Sequence, residues 1–140
     1  MVKNFHGSQI NQSVTIVEQA GAEIADVRNR IMKFDENGKV VLATAGTDIP
    51  VGVAIIEAGY NDISGAESGK AVEGADVDIQ IKDIGFVVAG AEIKKGQEVT
   101  AGADGKAVVA TTGNYVLGIA LNNVAAGGYC NVQITKYQKA

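Results

Sequence analysis

Apolar positions along this chain fall in short β-branched runs separated by glycine-rich turns. The clearest run is residues 76–83, Asp-Val-Asp-Ile-Gln-Ile-Lys-Asp. Its strict alternation places Val77, Ile79 and Ile81 on one face and Asp78, Gln80 and Lys82 on the other, the pattern of a half-buried strand. Similar runs predict strands over residues 14–17, 30–34, 39–43, 51–57, 84–88, 97–100, 107–110, 114–121 and 129–135. Turn chemistry lies between them. Asp35-Glu36-Asn37-Gly38 and Ala103-Asp104-Gly105-Lys106 read as hairpin turns, because Asn, Asp and Gly tolerate the positive φ of a tight turn. Ala and Glu in residues 18–30 would permit a helix, but the corresponding residues 87–99 contain VVAG and KKGQ, which oppose one. At most a short helical turn is expected, near residues 124–126 or within 62–72.

The runs repeat in order. AGAEIADVRNRIMKFDENGKVVLATAG (residues 20–46) is matched by AGAEIKKGQEVTAGADGKAVVATTG (residues 89–113), two residues shorter. PVGVAI (50–55) then parallels VLGIAL (116–121), and VDIQI (77–81) parallels CNVQI (130–134). A β-like run precedes each AGAEI. Two similar halves are therefore expected, about residues 14–81 and 84–134. An arm, residues 1–13, precedes them, and the first half carries a long insertion at residues 58–75. Many short strands with Gly turns imply an all-β fold, a compact β-barrel or β-sandwich. A single domain over residues 14–140 is favoured over two small lobes, since each half is only about half of an ordinary domain.

Composition narrows the chemistry. The chain has 140 residues and 46% hydrophobic content, mostly small or β-branched, with no Trp; small side chains bury little area each, which calls for either good β packing or help from partner subunits, and oligomerisation is favoured. Net charge is −4 and the basic residues are scattered, with Lys94-Lys95 the one adjacent pair, which argues against nucleic acid. No apolar run is long enough to span a bilayer, and the N-terminal residues lack the apolar core of a secretory signal, so a soluble product made in a reducing compartment is expected. Cys130 is the sole cysteine and reads as a small buried hydrophobe; His6 is the sole histidine. Neither a zinc site nor a Cys–His nucleophile is supported. Asp76 and Asp78 share a strand face with Asp83 beyond them, and the charges of an outward face explain them better than a cation site. The glycines fit neither a phosphate loop nor a dinucleotide fingerprint. Gly52 and Gly118, at matching places inside apolar strands, mark bulges or close packing against the other half. Tyr60 and Tyr129 follow glycines and could anchor an interface or sit in a core or rim. No catalytic, cofactor-binding or metal-binding residue is assigned, and no cofactor is expected.

With those residues in place the chain resembles the head decoration, or capsid cement, proteins of tailed bacteriophages and prophages. The similar features are AGAEI at Ala20 and Ala89, NGKVVLAT at Asn37, DGKAVVAT at Asp104, VGVAI at Val51 and LGIAL at Leu117. The resemblance runs from about residue 14 to 134. It implies a non-enzymatic virion protein, made in the host cytoplasm, that binds the major capsid protein on the outer surface of the head. It implies a homotrimer at three-fold sites, bracing the shell, with residues 1–13 as a docking arm. The insertion at 58–75 departs from the family pattern. A tail, baseplate or fibre-adaptor component, or a ligand-binding β module with the 58–75 loop over a pocket, are the alternatives. The unshared parts of the two copies are where partner-specific contacts are expected. Deleting residues 1–13 should leave the circular dichroism spectrum of the folded protein intact while weakening particle binding; loss of the folded spectrum would contradict the assignment of these residues as an arm.

Overall fold

The computed structural model describes residues 13–60, 64 and 68–140; the expected arm, apart from Ser13, lies outside them. Strand propensity prevails throughout. Ten strands form among the described residues: β1 (Thr15–Gln19), β2 (Ile31–Phe34), β3 (Val40–Leu42), β4 (Gly52–Ala54), β5 (Asp76–Gln80), β6 (Ile84–Val88), β7 (Glu98–Ala101), β8 (Ala107–Val109), β9 (Tyr115–Ala120) and β10 (Tyr129–Gln138). Each lies within or across a run that the pattern marks. They assemble into two antiparallel five-stranded sheets, ordered β1-β5-β4-β2-β3 and β6-β10-β9-β7-β8. The two orders are the same, strand for strand, so the sequence repeat is a structural repeat. The fold is all-β and built from two similar halves.

The AGAEI segments have one structural role in both halves. Ala20 makes a parallel bridge to Val40, and Ala89 makes the same bridge to Ala107. The next N–H, of Gly21 or Gly90, donates to the carbonyl of Val40 or Ala107 at 2.8 Å. The bridge joins the outermost strands of each sheet, so each sheet curls until its edges touch, as a sheet does when it closes toward a barrel. The last residue of the segment, Ile24 or Ile93, is buried and bridges the connector at Ala71 or Val124. Glycine follows the bridging alanine because side chains of the facing hairpin crowd it. A Cβ on Gly21 would strike the Asp35 carboxyl, and one on Gly90 would approach Lys106.

Gly52 and Gly118 obey the same constraint, with a different partner from the one expected. Each lies against the strand beside it in its own sheet, not against the other half. A Cβ there would collide with the carbonyl oxygen of Gln80 or Gln133. Neither position is a bulge; the register shift in the second sheet falls between Ile134 and Tyr137, where Lys136 turns to φ 42°. Past this shift β10 runs on to Gln138, pairing Tyr137 with Val116, beyond the end of its repeat. β4 is shorter than its apolar run, because the N–H of Ala58 turns back to the Ile55 carbonyl. Residues 124–126 form a bridge and turn; the helical turn among the described residues is a 3-10 turn at Ala103–Gly105.

Two apolar clusters hold the halves. One gathers Ala20, Ile24, Met32, Val40, Val77 and Ile79 of the first half. The other gathers Ala89, Ile93, Val99, Ala107, Cys130 and Val132 of the second, and it also takes in Ile31, Ala43 and Val53 from the first half. That shared cluster is the seam. Hydrogen bonds from Val88 N–H to the Asn29 carbonyl (3.0 Å) and from Tyr115 N–H to the Gly46 carbonyl (2.7 Å) cross it. Lys136 Nζ reaches the Val51 carbonyl (2.9 Å). Gln80 departs from the alternation. It is buried, and its amide donates to the carbonyls of Lys82 and Ile84, both at 2.8 Å. One side chain thus fixes the two-residue passage of the chain from one half to the other.

The insertion is also redrawn. Hydrogen bonds give Ala71 the role of Val124, and Gly74-Ala75 the role of Gly127-Gly128. Residues 71–75 therefore belong to the repeat, and the extra chain lies between Ile55 and Ala71. A Gly118→Ala or Gly52→Ala substitution should lower the unfolding free energy in urea by about 2 kcal/mol or more, as overpacking against backbone does. Gly74→Ala, at φ +86° but with open space around its Cβ, should cost only about 1 kcal/mol. Equal losses at the two kinds of site would contradict the packing argument.

Candidate functional site

The interior of each half is lined by Ala, Val, Ile, Leu, Met and Cys. Of the aromatic residues among those described, Phe34, Tyr60, Phe86, Tyr129 and Tyr137 are exposed and Tyr115 is half-buried. Large rings dominate the energetics of interfaces, and here they are all left outside the core. Two of them stand together. On β6, Gly85 and Val87 point inward, so Phe86 points out; β10 is paired so that Asn131 lies opposite Phe86 and Tyr129 opposite Val88. Ile56, in the turn after β4, completes the group. Ile56, Phe86 and Tyr129 are 57%, 53% and 53% exposed.

These three side chains border an open groove of about 520 Å³ along the seam, which Asn29, Val53, Glu57, Gln80 and Asn131 also line. A second hollow continues it past Ile56 and Tyr129 to Asp26, Arg28, Arg30 and Lys106. The segment that supplies Asp26 and Arg28 is part of what makes the first copy two residues longer than the second. Val27 anchors it: the side chain is buried and the N–H donates to the Gly69 carbonyl at the far end of the insertion. Asp26, Arg28, Ile56 and Glu57 thus come from parts of the first copy that have no counterpart in the second, while Phe86, Tyr129 and Asn131 come from the second copy.

The electrostatics are local. Arg28 forks onto Asp26 through Nε–Oδ1 and Nη2–Oδ2, both 3.0 Å. Partial burial would raise the Asp26 carboxyl, but these hydrogen bonds and the charges of Arg28 and Arg30 outweigh it and hold it below the usual carboxylate range. Arg30 has no such partner among the described residues. Its Nη1 reaches only the Arg28 carbonyl, at 3.4 Å, and its Nε is buried without a hydrogen-bond partner.

Elsewhere the sequence candidates are dispersed. Cys130 is fully buried in the shared cluster, and burial raises its thiol pKa. His6 lies outside the described residues. Among the described residues no group of three or more His, Cys, Asp or Glu converges. Tyr60, Val72 and Lys70 border a separate hollow at the other end of the insertion. Tyr129 is at the groove; Phe86, which the sequence reading passed over, was legible from the alternation of Ile-Gly-Phe-Val-Val.

The far end of the molecule is closed by a charged cap. Glu98 takes the place in β7 that Ile31 takes in β2, since both pair with the residue after the strand glycine. Ile31 is covered by the second half; Glu98 is covered by the tail of β10. Tyr137 Oη donates to Glu98 at 2.6 Å, and Lys139 Nζ lies 2.9 Å from the same carboxylate.

No family model matches the sequence, and no curated protein does. The fold matches the crystal structure of the head fibre gp8.5 N base of bacteriophage phi29, with a TM-score of 0.62 at 22% sequence identity. The match covers 91% of this chain and 99% of that one. It shows a shared fold, and it names a head-fibre base where the sequence resemblance names a decoration protein.

The cap has a pH signature. Burial first, and then the hydrogen bond to Glu98, push the Tyr137 phenol up to about 12. A raised phenol favours the neutral form in the folded state, so this stabilisation is complete below the ordinary phenol value and is lost as pH rises through about 12. The bond from Tyr137, then that from Lys139, hold Glu98 below its ordinary value, so its share is lost as pH falls. Ultraviolet titration should show a tyrosine ionising near 12, and Glu98→Gln should lower that value in part, since burial remains. Absence of any such transition, or one that Glu98→Gln leaves unmoved, would contradict the cap.

Proposed function

We propose that this chain is a structural component of a phage particle that acts by binding, as the base module of an appendage seated on the head. The observation that carries the reading is the end-to-end fold match to a head-fibre base, which spans both copies of the repeat. The placement of the aromatic side chains supports it. A protein that keeps its rings out of its own core and at its surface is suited to docking. Among the described residues no group of three or more His, Cys, Asp or Glu converges.

A second reading is supported by the sequence resemblance: a decoration protein, bound as a homotrimer to the major capsid protein at three-fold sites on the outer surface. Both readings place the chain on the head and make it a binder. They differ in whether it carries something or braces the shell.

Electron cryomicroscopy of particles made with and without this protein tests the pair. The base reading expects density on the outer head surface from which a projection extends, and heads without the protein that resist heat unchanged. The decoration reading expects compact density without a projection, and heads without the protein that lose DNA on mild heating. Density confined to the tail, or absence from purified particles, would contradict both.

A further inference from the structure

We propose that the seam groove takes an extended, carboxylate-bearing segment of a partner protein. An apolar side chain of that segment would seat against Ile56, Phe86 and Tyr129, and a carboxylate would lie against Arg30 and Lys106. The identification of the partner as a protein of the head surface rests on the reading above; the chemistry of the groove does not.

Four observations converge on this occupant. The chain is acidic, with 16 Asp and Glu against 12 Lys and Arg, yet both of its arginines, Arg28 and Arg30, are at this groove. A guanidinium recognises carboxylate by a planar fork that lysine cannot supply. Arg28 is already forked onto Asp26, which leaves Arg30 and Lys106 facing a single other acidic neighbour along the groove, Glu57. Among the described residues no acidic side chain pairs with Arg30: its Nε is buried without a partner and its Nη1 reaches only the Arg28 carbonyl at 3.4 Å, so the guanidinium is left for an incoming carboxylate. The apolar side chains are half-exposed though they flank a buried seam, the arrangement of an anchor pocket. Asn29 and Asn131 line the walls and offer amides to a peptide backbone. In the second copy the place of Arg30 is held by Gln97, since the carbonyl of each accepts from the matching N–H, of Ala54 or Ala120. The arginine therefore belongs to the first copy alone, while Phe86, Tyr129 and Lys106 come from the second, so the full set exists only where the two copies meet.

The experiment uses the full chain, labelled with ¹⁵N, and an acetylated peptide amide alternating Glu with Phe and Leu. Its charge-swapped twin has Lys in place of Glu. Shifts should be confined to the backbone around Ile56, Phe86 and Tyr129 and to the Arg30 side-chain Nε–H. Arg30→Gln and Phe86→Ser should each weaken binding by about ten-fold or more. Phe34→Ser, at a separate exposed site, should leave binding unchanged and serves as the control for general loss of surface apolarity. Retention of the dispersed spectrum shows that a variant is folded. Equal affinity for the two peptides, shifts centred elsewhere, or displacement by a single-stranded oligonucleotide at the same residues would overturn the proposal. Heads lacking the protein provide the second arm. If they bind the wild-type chain and both groove variants equally, the groove is not the docking site and the reading of function stands. If they bind no form of it while the acidic peptide still fills the groove, that reading fails and the groove proposal stands.

Discussion

Each half of this protein is governed by how tightly a five-stranded sheet must curl for its outer strands to meet. The bridges of Ala20 to Val40 and of Ala89 to Ala107 set that curvature. The interior of such a sheet is filled here by Ala, Val, Ile, Leu, Met and Cys, and none of the described rings is inside it. Where strands cross or crowd, even Ala is too large, hence Gly52 beside the Gln80 carbonyl and Gly118 beside that of Gln133. The cost is a modest core, because small side chains bury little apolar area. The second half offsets it by sharing its cluster with Ile31, Ala43 and Val53 across the seam. The same constraint that makes the core small sends the aromatic residues to the surface, where they can bind something else.

The repeat also explains the charged cap. The first copy docks on the second through the face around Asn29 and Ile31, and the matching face of the second copy has no such partner among the described residues. Here Glu98 replaces the apolar residue, and the tail of β10 folds over it with Tyr137 and Lys139. The second copy thus covers with its own chain the face that the first copy covers by docking. The first is the one elaborated for contact, by the Asp26–Arg28 excursion and by the chain between Ile55 and Ala71.

The scaffold was legible in the sequence because its constraints are local. Alternation, β-branched runs and Gly turns mark all ten strands, and two copies of one pattern corroborate each other. The closing bridges were not legible, since they depend on AGAEI meeting a strand far along the chain. Neither was the role of Gln80, whose place in the alternation says outward and whose amide is held inward by two carbonyls. The insertion was set too late, at residues 58–75, because the Gly and acidic content of 71–75 hides a match that only hydrogen bonds reveal. For the groove, the sequence pointed to Tyr129 and to the unshared segments. It gave no sign that these meet Phe86 and Arg30 along one seam, which only the packing of the two halves brings about.

The central claim is that the surface aromatic residues at the seam exist for docking. Hydroxyl-radical footprinting of the free chain and of the same chain on purified particles tests it most directly. Phe86 and Tyr129 should be oxidised readily in the free protein and protected on the particle, while Val87 and Cys130 of the core stay protected in both. Equal oxidation of Phe86 and Tyr129 in the two states, with protection appearing elsewhere, would show that the particle is bound through another face.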